Sequence, residues 1–519
     1  MKLKPLPRTP SLALVLCFSW LSSSMLVQAQ VQTQERPDLM ELRAKIQAGE
    51  QTPTALVEHY FKLSQQRNPS IQAVTVLRPE AKQEAKQEAR TGTGLLQGLP
   101  LMVKDNIAVA GLATTAGSLA LAENIAAQDA PLVARLKQAG AVILGKTNLS
   151  EWANFRSAKS SSGWSSAGGQ TRNPYDVKKS PCGSSSGSGA AVAAGMIPAA
   201  IGTETDGSIT CPAAMNGLVG LKPTLGLVSR SGIVPLSHSQ DTAGPMTLSV
   251  RDAALLMNVL AGSDANDSAT VLADQKRARD YLQGLDKNAL QGKRLGIARQ
   301  LSKNYDKATL ALFQEQVALL RAQGATVIDD LTLPNADKLD ADEFTVLLYE
   351  FKADLNAYLA QAPAAVKTRT LSDLIAFNKL NAKQVMPYFS QELFEQAEKF
   401  GPLTDKTYQQ ALARVKKRAG VDGIDALMKR HQLDAIIAPT TSAAWSIDYQ
   451  KGDSFSGSAS SPAAIAGYPH LTVPMGLIEG MPVGLSFFAG AWQDHALLKM
   501  GYAYEQARGT FPAPKLTRP

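Results

Sequence analysis

The first pattern along the chain is a short apolar run close to the amino terminus. Three basic residues within the first eight precede the apolar segment 12–21, and small residues follow at 27–29. This order is typical of a secretory signal peptide and its cleavage site. A retained membrane anchor is the alternative, but about ten apolar residues fall short of the ~20 that a spanning helix needs. We expect residues 1–29 to be a cleaved signal, leaving an exported protein, periplasmic or secreted, without a stable membrane anchor.

Two amphipathic helices are predicted directly after the signal. Segments 38–49 and 53–67 place apolar residues at helical spacing. Thr52 followed by Pro53 has the pattern of an N-cap with proline at the first helical position. We therefore expect the interval 38–70 to form N-terminal helices.

From residue 99 onward, short apolar runs alternate with helical patterns, and no repeat period is visible. This alternation predicts one α/β domain over residues 30–519, with a large mixed central sheet between two helical layers and helical additions in the second half. The predicted strands are 101–103, 141–144 (ended by a turn at Gly145), 197–202, 294–298, 325–328, 434–438, 471–474 and 483–488. The predicted helices are 131–139, 190–195, 251–260 and 308–323.

Residues 157–189 are rich in serine and glycine, a composition that is also typical of a flexible linker. Here the segment runs directly into the alanine-rich helix 190–195 and then into the apolar strand 197–202. A linker would not lie between core elements. We therefore expect this segment to be part of the folded domain.

Composition and charge narrow the class of partner. The chain is 45% hydrophobic and 19% charged, as ordinary globular proteins are. Loss of residues 1–29 would lower the net charge from +8 to about +5. The basic residues are dispersed, without the clusters that nucleic acid binding requires. We expect no nucleic acid partner and a small uncharged substrate, and the sequence leaves the oligomeric state open.

Cysteine and histidine usage bears on disulfide bonds and metals. Cys182 and Cys211 are the cysteines that follow the signal. An oxidising compartment would permit them to pair, but two cysteines do not form a disulfide framework, so the pairing stays open. The five histidines show no metal-ligand spacing, and we expect no metal.

Three short segments could carry chemistry. They read Val-Lys-Asp-Asn at 103–106, Cys-Gly-Ser-Ser-Ser-Gly at 182–187, and Gly-Thr-Glu-Thr-Asp-Gly-Ser-Ile at 202–209. Each is weak alone, because a lysine that ends an apolar run is normally solvated and Ser/Gly clusters are normally turns.

Together these segments resemble the amidase signature family, in which 24 residues separate two serines of the defining stretch. Ser184 and Ser208 have this spacing. The resemblance extends from about residue 38 to 508. Its further blocks lie at 98–104, 144–148, 220–224, 466–469 and 471–474.

The resemblance implies a fold and a mechanism. The fold is that of the amidase signature family, and Ser208 would attack the amide carbonyl, Ser184 would relay its proton from a cis peptide bond, and Lys104 would accept it. Lysine is a base only when neutral, and burial lowers its pKa, so Lys104 should be buried. The backbone N–H groups of Thr205, Asp206, Gly207 and Ser208 would hold the oxyanion. No cofactor is implied.

Two positions depart from most members of the family. Asp206 stands where glycine is usual, and Thr210 where many members have arginine. The Asp206 carboxylate could repel acidic substrates or bind a donor such as a peptide N–H, although a purely structural role is the alternative. Loss of the arginine argues against acidic amides and an amidotransferase role.

Three further blocks, at 150–156, 169–175 and 239–245, resemble the peptide amidase branch of the family, which removes the C-terminal amide from peptides. A broad-specificity aliphatic or aryl amidase is the alternative within the family.

Two alternatives come from other classes. The stretch 183–187 also fits the Gly-x-Ser-x-Gly pattern of an esterase centred on Ser185, which would use a downstream histidine. That nucleophile follows a buried strand, whereas 173–181 is polar and contains prolines. An inactive binding protein on the same scaffold is the other alternative, and retention of Lys104, Ser184 and Ser208 argues against it.

Overall fold

The structure is a computed structural model that describes residues 1–2, 4–5 and 36–516. The described residues from Arg36 onward form one compact unit. Most of the predicted signal segment 1–29 lies outside the described residues, so its cleavage and the export of the protein stay predictions. Within the described residues, no helix is both long and apolar enough to cross a membrane.

Thirteen strands lie in the described part of the chain. They are β1 (Val74–Leu77), β2 (Pro100–Lys104), β3 (Val142–Thr147), β4 (Trp164–Ser165), β5 (Gly169–Gln170), β6 (Ala199–Glu204), β7 (Val219–Lys222), β8 (Thr242–Thr247), β9 (Arg294–Ala298), β10 (Thr326–Leu331), β11 (Ala435–Pro439), β12 (His470–Ile478) and β13 (Met481–Phe488).

The first nine helices are α1 (Leu39–Gln47), α2 (Pro53–Ile71), α3 (Ala81–Thr91), α4 (Pro131–Gln138), α5 (Ser186–Ala193), α6 (Thr210–Met215), α7 (Val250–Leu260), α8 (Ala273–Lys276) and α9 (Lys307–Ala322). The others are α10 (Asp340–Ala360), α11 (Leu371–Leu380), α12 (Ala382–Val385), α13 (Glu392–Ala397), α14 (Lys406–Ala419), α15 (Ala426–His431), α16 (Ser461–Ala466) and α17 (Asp494–Arg508).

Eleven of the strands form one mixed sheet in the order β1-β3-β2-β6-β8-β7-β12-β13-β11-β9-β10, and β4 and β5 form a separate hairpin. Strands β3, β2 and β6 run parallel to one another, as do β11, β9 and β10. The strands between these two groups are antiparallel. Every residue of β2, β3, β6, β7 and β8 is buried, as expected when helices cover both faces of a sheet.

Two groups of helices pack against the sheet. In one group, α5 contacts α2, α6 and the strands β2, β3, β6 and β8. In the other, α7 contacts α4 and α17, and α17 contacts α9 and β12. The mixed sheet flanked by helices confirms the predicted α/β class.

Local sequence signals place the early helices where the pattern predicted them. Asp38 caps α1, and its side chain and that of Glu41 form a capping box. Thr52 caps α2, which has Pro53 at its start. Both predicted N-terminal helices are therefore confirmed.

The Ser/Gly-rich segment is built into the core. Helix α5 begins inside it at Ser186, earlier than predicted, and all eight residues of α5 are buried. A Cβ at Gly187 would lie 2.3 Å from the Ala73 carbonyl oxygen and 2.5 Å from the Asn148 nitrogen. Glycine is present because the helix backbone passes this close to β1 and the end of β3.

Two features of the sheet differ from the sequence-based expectation. The predicted turn at Gly145 is wrong, because β3 continues through it to Thr147. A Cβ at Gly145 would lie 2.1 Å from the Val76 carbonyl oxygen, so glycine serves strand packing there. Strands β1, β7 and β8 were not predicted as strands. Strand β8 reads Thr-Ala-Gly-Pro-Met-Thr, which has no apolar alternation, and its central place in the sheet comes from tertiary pairing.

The second half adds a helical layer beyond the sheet. Helix α10 contacts α11, α13 and α14. Its Leu348, Phe351 and Leu355 lie in a separate apolar cluster with Trp152, Phe155 and Phe394. This cluster holds α10 beside the 150–156 segment, and so brings α10 to the neighbourhood of the predicted site.

Candidate active site

The site lies at one edge of the sheet, where two parallel strands end. Val103 pairs with Ile201, so the ends of β2 and β6 are adjacent. Lys104 is the last residue of β2, and β6 leads through Glu204 into the loop that carries Ser208. Carboxyl ends of adjacent parallel strands are where α/β proteins place functional groups.

Lys104 is fully buried, and every close partner of its amine is a neutral oxygen. Nζ lies 2.7 Å from Ser184 Oγ, 2.8 Å from Thr203 Oγ1 and 3.2 Å from the Thr203 carbonyl oxygen. A neutral amine has two N–H groups and one lone pair. If both N–H groups donate to Thr203, the lone pair faces the Ser184 hydroxyl.

Burial lowers the pKa of Lys104 to about 7, and the carboxylates of Asp241 and Glu204 oppose this shift. The burial predicted for Lys104 is therefore present. Near neutral pH, a large fraction of Lys104 is the free amine, the form that can accept a proton.

Ser184 follows a cis peptide bond, as the resemblance implied, because the Gly183–Ser184 bond is cis. Ser184 is fully buried, and its carbonyl oxygen accepts a hydrogen bond from Ser150 N at 3.1 Å. A Cβ on Gly183 would lie 2.2 Å from Ser150 Oγ and 2.8 Å from Asn154 Oδ1. The segment 150–154 therefore packs directly against the backbone before Ser184.

That segment contains a left-handed turn of non-glycine residues. Trp152, Ala153 and Asn154 have φ values of 52°, 54° and 70°. Each such residue costs on the order of 1 kcal/mol, so the surrounding contacts must hold the turn. Asn154 Nδ2 donates to Ser160 Oγ and Ser162 Oγ, both at 3.1 Å. Backbone strain next to Ser184 is characteristic of functional sites.

Ser208 lies in the loop between β6 and α6, and 8% of its surface is exposed. Its carbonyl oxygen accepts a hydrogen bond from Ser185 N at 3.1 Å, which ties the two serine segments together. Glu204 Oε2 accepts from Ile209 N at 2.7 Å and Thr210 N at 2.9 Å. Burial raises the pKa of Glu204, and these bonds and the Lys222 charge act against that rise. The loop is thus fixed immediately after Ser208.

Asp241 fixes the loop before Ser208. Thr205 Oγ1 donates to Asp241 Oδ1 at 2.6 Å. Asp241 Oδ2 accepts from Leu236 N at 2.7 Å and Ser237 N at 2.9 Å. Burial raises the pKa of Asp241 to about 6. The Asp241 carboxylate therefore holds Thr205 in place, and its charge also raises the pKa of Lys104.

Asp206 faces a second carboxyl group. The Glu343 carboxyl and the hydroxyls of Ser460 and Ser461 lie against the Asp206 carboxyl. Burial raises the pKa of Asp206 and holds that of Glu343 well above its usual range. Within the described residues, Asp206 Oδ1 is buried and has no hydrogen-bond partner.

Cys182 and Cys211 form a disulfide, which settles the pairing that the sequence left open. Cys182 comes two residues before Ser184, and Cys211 lies three residues after Ser208 in α6. The bond therefore links the two serine segments covalently.

Ser185, the nucleophile of the esterase alternative, is fully buried in backbone contacts. Its Oγ donates to the Thr203 carbonyl oxygen at 2.9 Å and accepts from Thr203 N at 3.1 Å. No histidine is among its hydrogen-bond partners in the described part of the chain. This geometry gives Ser185 a structural role.

One group of potential metal ligands lies in the described residues, at His238, Glu350 and Asp354, whose ligand atoms are within 4.8 Å of one another. The His238 ring bonds Asp354 Oδ2 at 2.8 Å, and this bond raises the pKa of His238. Glu350 already accepts from Tyr408 Oη at 2.7 Å and Ser237 Oγ at 2.5 Å. Since donors occupy these carboxylates, we assign the group to anchoring the 236–241 loop on α10.

The comparisons with known proteins identify the family of this chain. The amidase family model matches residues 55–498, so the chain belongs to the amidase signature family. The resemblance and the fold predicted from the sequence are confirmed. The protein is similar to the native peptide amidase from Stenotrophomonas maltophilia, whose solved structure is 48% identical with a TM-score of 0.87 and covers 93% of this chain and 99% of its own.

Two curated relatives extend the comparison. A probable amidase from Arabidopsis thaliana is 38% identical over 490 residues, covering 92% of this chain and 90% of the relative. A glutamyl-tRNA(Gln) amidotransferase component from Symbiobacterium thermophilum is 33% identical over 474 residues, covering 88% of this chain and 94% of the relative. The family thus includes both hydrolases and components of amidotransferases.

The structure brings some of the predicted site residues together, and it adds residues whose role the sequence did not indicate. Lys104 and Ser184 are in contact, and Ser208 is joined to their neighbourhood through Ser185. The sequence reasoning assigned no role to Thr203, Glu204, Asp241 or Glu343. Thr203 and Glu204 lie inside the quoted 202–209 block and could have been questioned there. Glu343 lies in a helix far along the chain, without a local signal.

Proposed function

We propose that the protein is an exported serine amidase that releases ammonia from the C-terminal amide of peptides. The observation that carries the amidase mechanism is the contact between the buried Lys104 amine and the Ser184 hydroxyl, beside the loop of Ser208. A buried amine with a pKa of about 7 can act as a general base, and a serine needs such a base to become a nucleophile.

The reaction would begin with attack of Ser208 Oγ on the carboxamide carbon. The Ser208 proton would pass to Ser184 Oγ while the Ser184 proton passes to Lys104 Nζ. Backbone N–H groups of Thr205, Asp206, Gly207 and Ser208 would hold the oxyanion. Gly207 has a φ of 77°, a conformation that glycine adopts without strain, which supports a specialised loop backbone here.

Collapse of the tetrahedral intermediate would break the C–N bond. The protonated Lys104 would return its proton through Ser184 to the departing nitrogen, which leaves as ammonia. An ester of Ser208 would remain. Water would attack this ester with the same two groups acting as base, releasing the peptide acid and restoring the Ser208 hydroxyl. None of these proposed steps requires a cofactor.

The preference for peptide amides rests on residues of the Ser208 loop and on similarity. Thr210, where many members have arginine, donates from Oγ1 to Glu204 Oε2 at 3.3 Å. Asp206 adds a carboxyl group at the loop, which would oppose acidic substrates. The similarity to the Stenotrophomonas maltophilia peptide amidase points to the same substrate class. A broad aliphatic or aryl amidase remains the competing proposal.

The test is an ammonia-release assay with an amidated dipeptide, an aliphatic amide and an anilide. We expect kcat/KM to be highest for the amidated dipeptide. A preference for the simple amides would overturn the substrate proposal and leave the mechanism intact.

Two serine variants test the mechanism in the same assay. Ser208→Ala should abolish both ammonia release and labelling by a serine-directed phosphonate. Ser185→Ala is the matched control, adjacent to Ser184. It should keep both, because the Ser185 hydroxyl bonds only backbone groups of Thr203 in the described contacts, and the backbone bond of Ser185 to Ser208 does not need the side chain. An essential Ser185, or wild-type protein that is folded but never labelled, would instead favour the esterase or the binding protein.

A further inference from the structure

Exposed aromatic residues are concentrated next to the site. Among the phenylalanine, tyrosine and tryptophan residues that the structure describes, three have more than a third of their surface exposed, and each contacts a second ring. The ring pairs are Phe344 with Phe155 (6.5 Å between centroids), Tyr388 with Trp164 (5.6 Å) and Phe455 with Trp445 (5.6 Å). The partner rings belong to the 150–164 segment and to the apolar cluster around the disulfide, both next to Ser184. Apolar surface gathered at one place on a protein marks a binding site.

Phe344 lies between the two serine segments. On one side its ring contacts Phe155, in the segment that packs against the cis peptide bond. On the other side, the preceding residue, Glu343, is tied to the loop of the nucleophile through Gln240. The Gln240 Nε2 atom donates to Glu343 Oε1 at 2.9 Å and to the Thr205 carbonyl oxygen at 3.3 Å. These contacts hold the first turn of α10 beside the site, with Phe344 38% exposed.

Phe455 lies between two residues that are fixed next to the same serine segments. Asp453 accepts hydrogen bonds from Ser162 N at 3.0 Å and from Ser162 Oγ at 2.6 Å. That hydroxyl lies against the cis peptide bond, since a Cβ on the glycine of that bond would be 3.1 Å from it. At the other end, Ser460 Oγ would lie 3.1 Å from a Cβ on Gly207, the neighbour of the nucleophile. Phe455 is 49% exposed between these two anchors.

The two phenylalanines thus reach the site from distant parts of the chain, one from α10 and the other from a loop after β11. Each ring is held by a neighbouring ring and still exposes a large apolar surface. Water against such a surface is released when an apolar group packs on it, which favours binding. A rigid aromatic ring also loses little conformational entropy when a ligand covers it.

We propose that Phe344 and Phe455 form an apolar subsite for the side chain of the substrate residue that carries the C-terminal amide. The α-carbon of that residue is bonded directly to the scissile carbonyl carbon. Its side chain must therefore lie close to Ser208 during the attack. The favoured substrates are peptide amides whose last residue is large and apolar. This inference rests on the proposed peptide amidase function.

The test compares two N-acylated dipeptide amides that differ in the last side chain, one ending in phenylalanine amide and the other in alanine amide. Ammonia release measures cleavage of the terminal carboxamide in both. The wild-type protein should prefer the phenylalanine amide by about tenfold in kcat/KM, because part of its ring is buried against the subsite. Since each wall supplies about half of the contact, Phe344→Ala and Phe455→Ala should each reduce this ratio to about threefold.

Leu477→Ala is the matched control. Leu477 is 37% exposed, so the variant removes an apolar side chain of similar exposure to Phe344. It lies in β12 toward the edge of the sheet opposite the one where β2 ends at Lys104. This variant should keep the tenfold ratio. Phosphonate labelling of Ser208 in each variant confirms that the site has folded.

Equal kcat/KM values for the two substrates in the wild-type protein would overturn the inference. An undiminished ratio in labelled protein of either phenylalanine variant would do the same, as would an equal fall of the ratio in Leu477→Ala. Failure of the proposed function looks different, because the wild-type protein would then release ammonia from a simple amide and from neither dipeptide amide.

Discussion

The Nζ atom of Lys104 and the Oγ atom of Ser184 lie 2.7 Å apart, and neither side chain is exposed to solvent. An amine in this setting can act as a base because it has lost its hydration, and none of its hydrogen-bond partners in the described residues is a carboxylate. In the mechanism proposed above, activity depends on the protonation state of this lysine.

The pH dependence of catalysis should follow that lysine. Because burial lowers the pKa of Lys104 to about 7, the free amine is the minority form below that pH. We expect kcat/KM to rise about tenfold per pH unit below pH 6 and to level off above about pH 8. A stopped assay of ammonia across pH 5 to 9 measures this. Lys104→Arg, which stays protonated, should lose at least about 10²-fold at every pH.

We expect Thr203 to orient the amine of Lys104. Its hydroxyl and carbonyl oxygens both bond Lys104 Nζ, and its hydroxyl also accepts from Asn106 Nδ2 at 3.0 Å. Thr203→Val should lower kcat about tenfold with little change in KM, because one hydrogen bond of about 1 kcal/mol and the lone-pair direction are lost. Thr203→Ser restores the hydroxyl and should recover most of kcat. A variant that raised only KM would contradict this role.

Removal of the Asp241 charge should move the pH profile. The Asp241 carboxylate raises the pKa of Lys104 against the effect of burial. Asp241→Asn removes that charge, so the pKa of Lys104 should fall and the rising limb of kcat/KM should shift to lower pH. Thr205→Ser keeps the hydroxyl that donates to Asp241 Oδ1, and with it the Asp241 charge, so its limb should stay in place. If the rising limb moved to higher pH in Asp241→Asn, the Asp241 charge would not be what raises the pKa of Lys104.

The disulfide should stabilise the protein measurably. Cys182 and Cys211 are 29 residues apart, and closing a loop of this length in the unfolded chain is worth about 3 to 4 kcal/mol in the chain-entropy account. Urea unfolding with and without reductant should show a loss of this order. A variant with Cys182→Ala and Cys211→Ala together should have the lower stability in both conditions. If reductant still lowered the stability of that variant, the loss would have a cause other than this disulfide.

Much of the fold could be predicted from local patterns. Strand β9 was predicted with its observed bounds, and α2 begins at the Pro53 that the cap signal marked. These elements have strong signals because the hydrophobic pattern of an amphipathic helix or an apolar strand shows which of its residues will be buried. Strands β7 and β8 could not be found this way, since pairing with distant strands makes them part of the sheet.

By itself, the sequence determined the family, because its motifs are local and the 24-residue spacing of Ser184 and Ser208 is visible in the chain. The same motifs are the basis for proposing Lys104, Ser184 and Ser208 as the catalytic residues. Only the tertiary structure decided that the Lys104 amine loses water, that Cys182 meets Cys211, and that Glu343 faces Asp206. Such facts depend on which distant segments pack together. Burial and proximity, not residue type, set the protonation of these groups, and neither is encoded in any short stretch of the sequence.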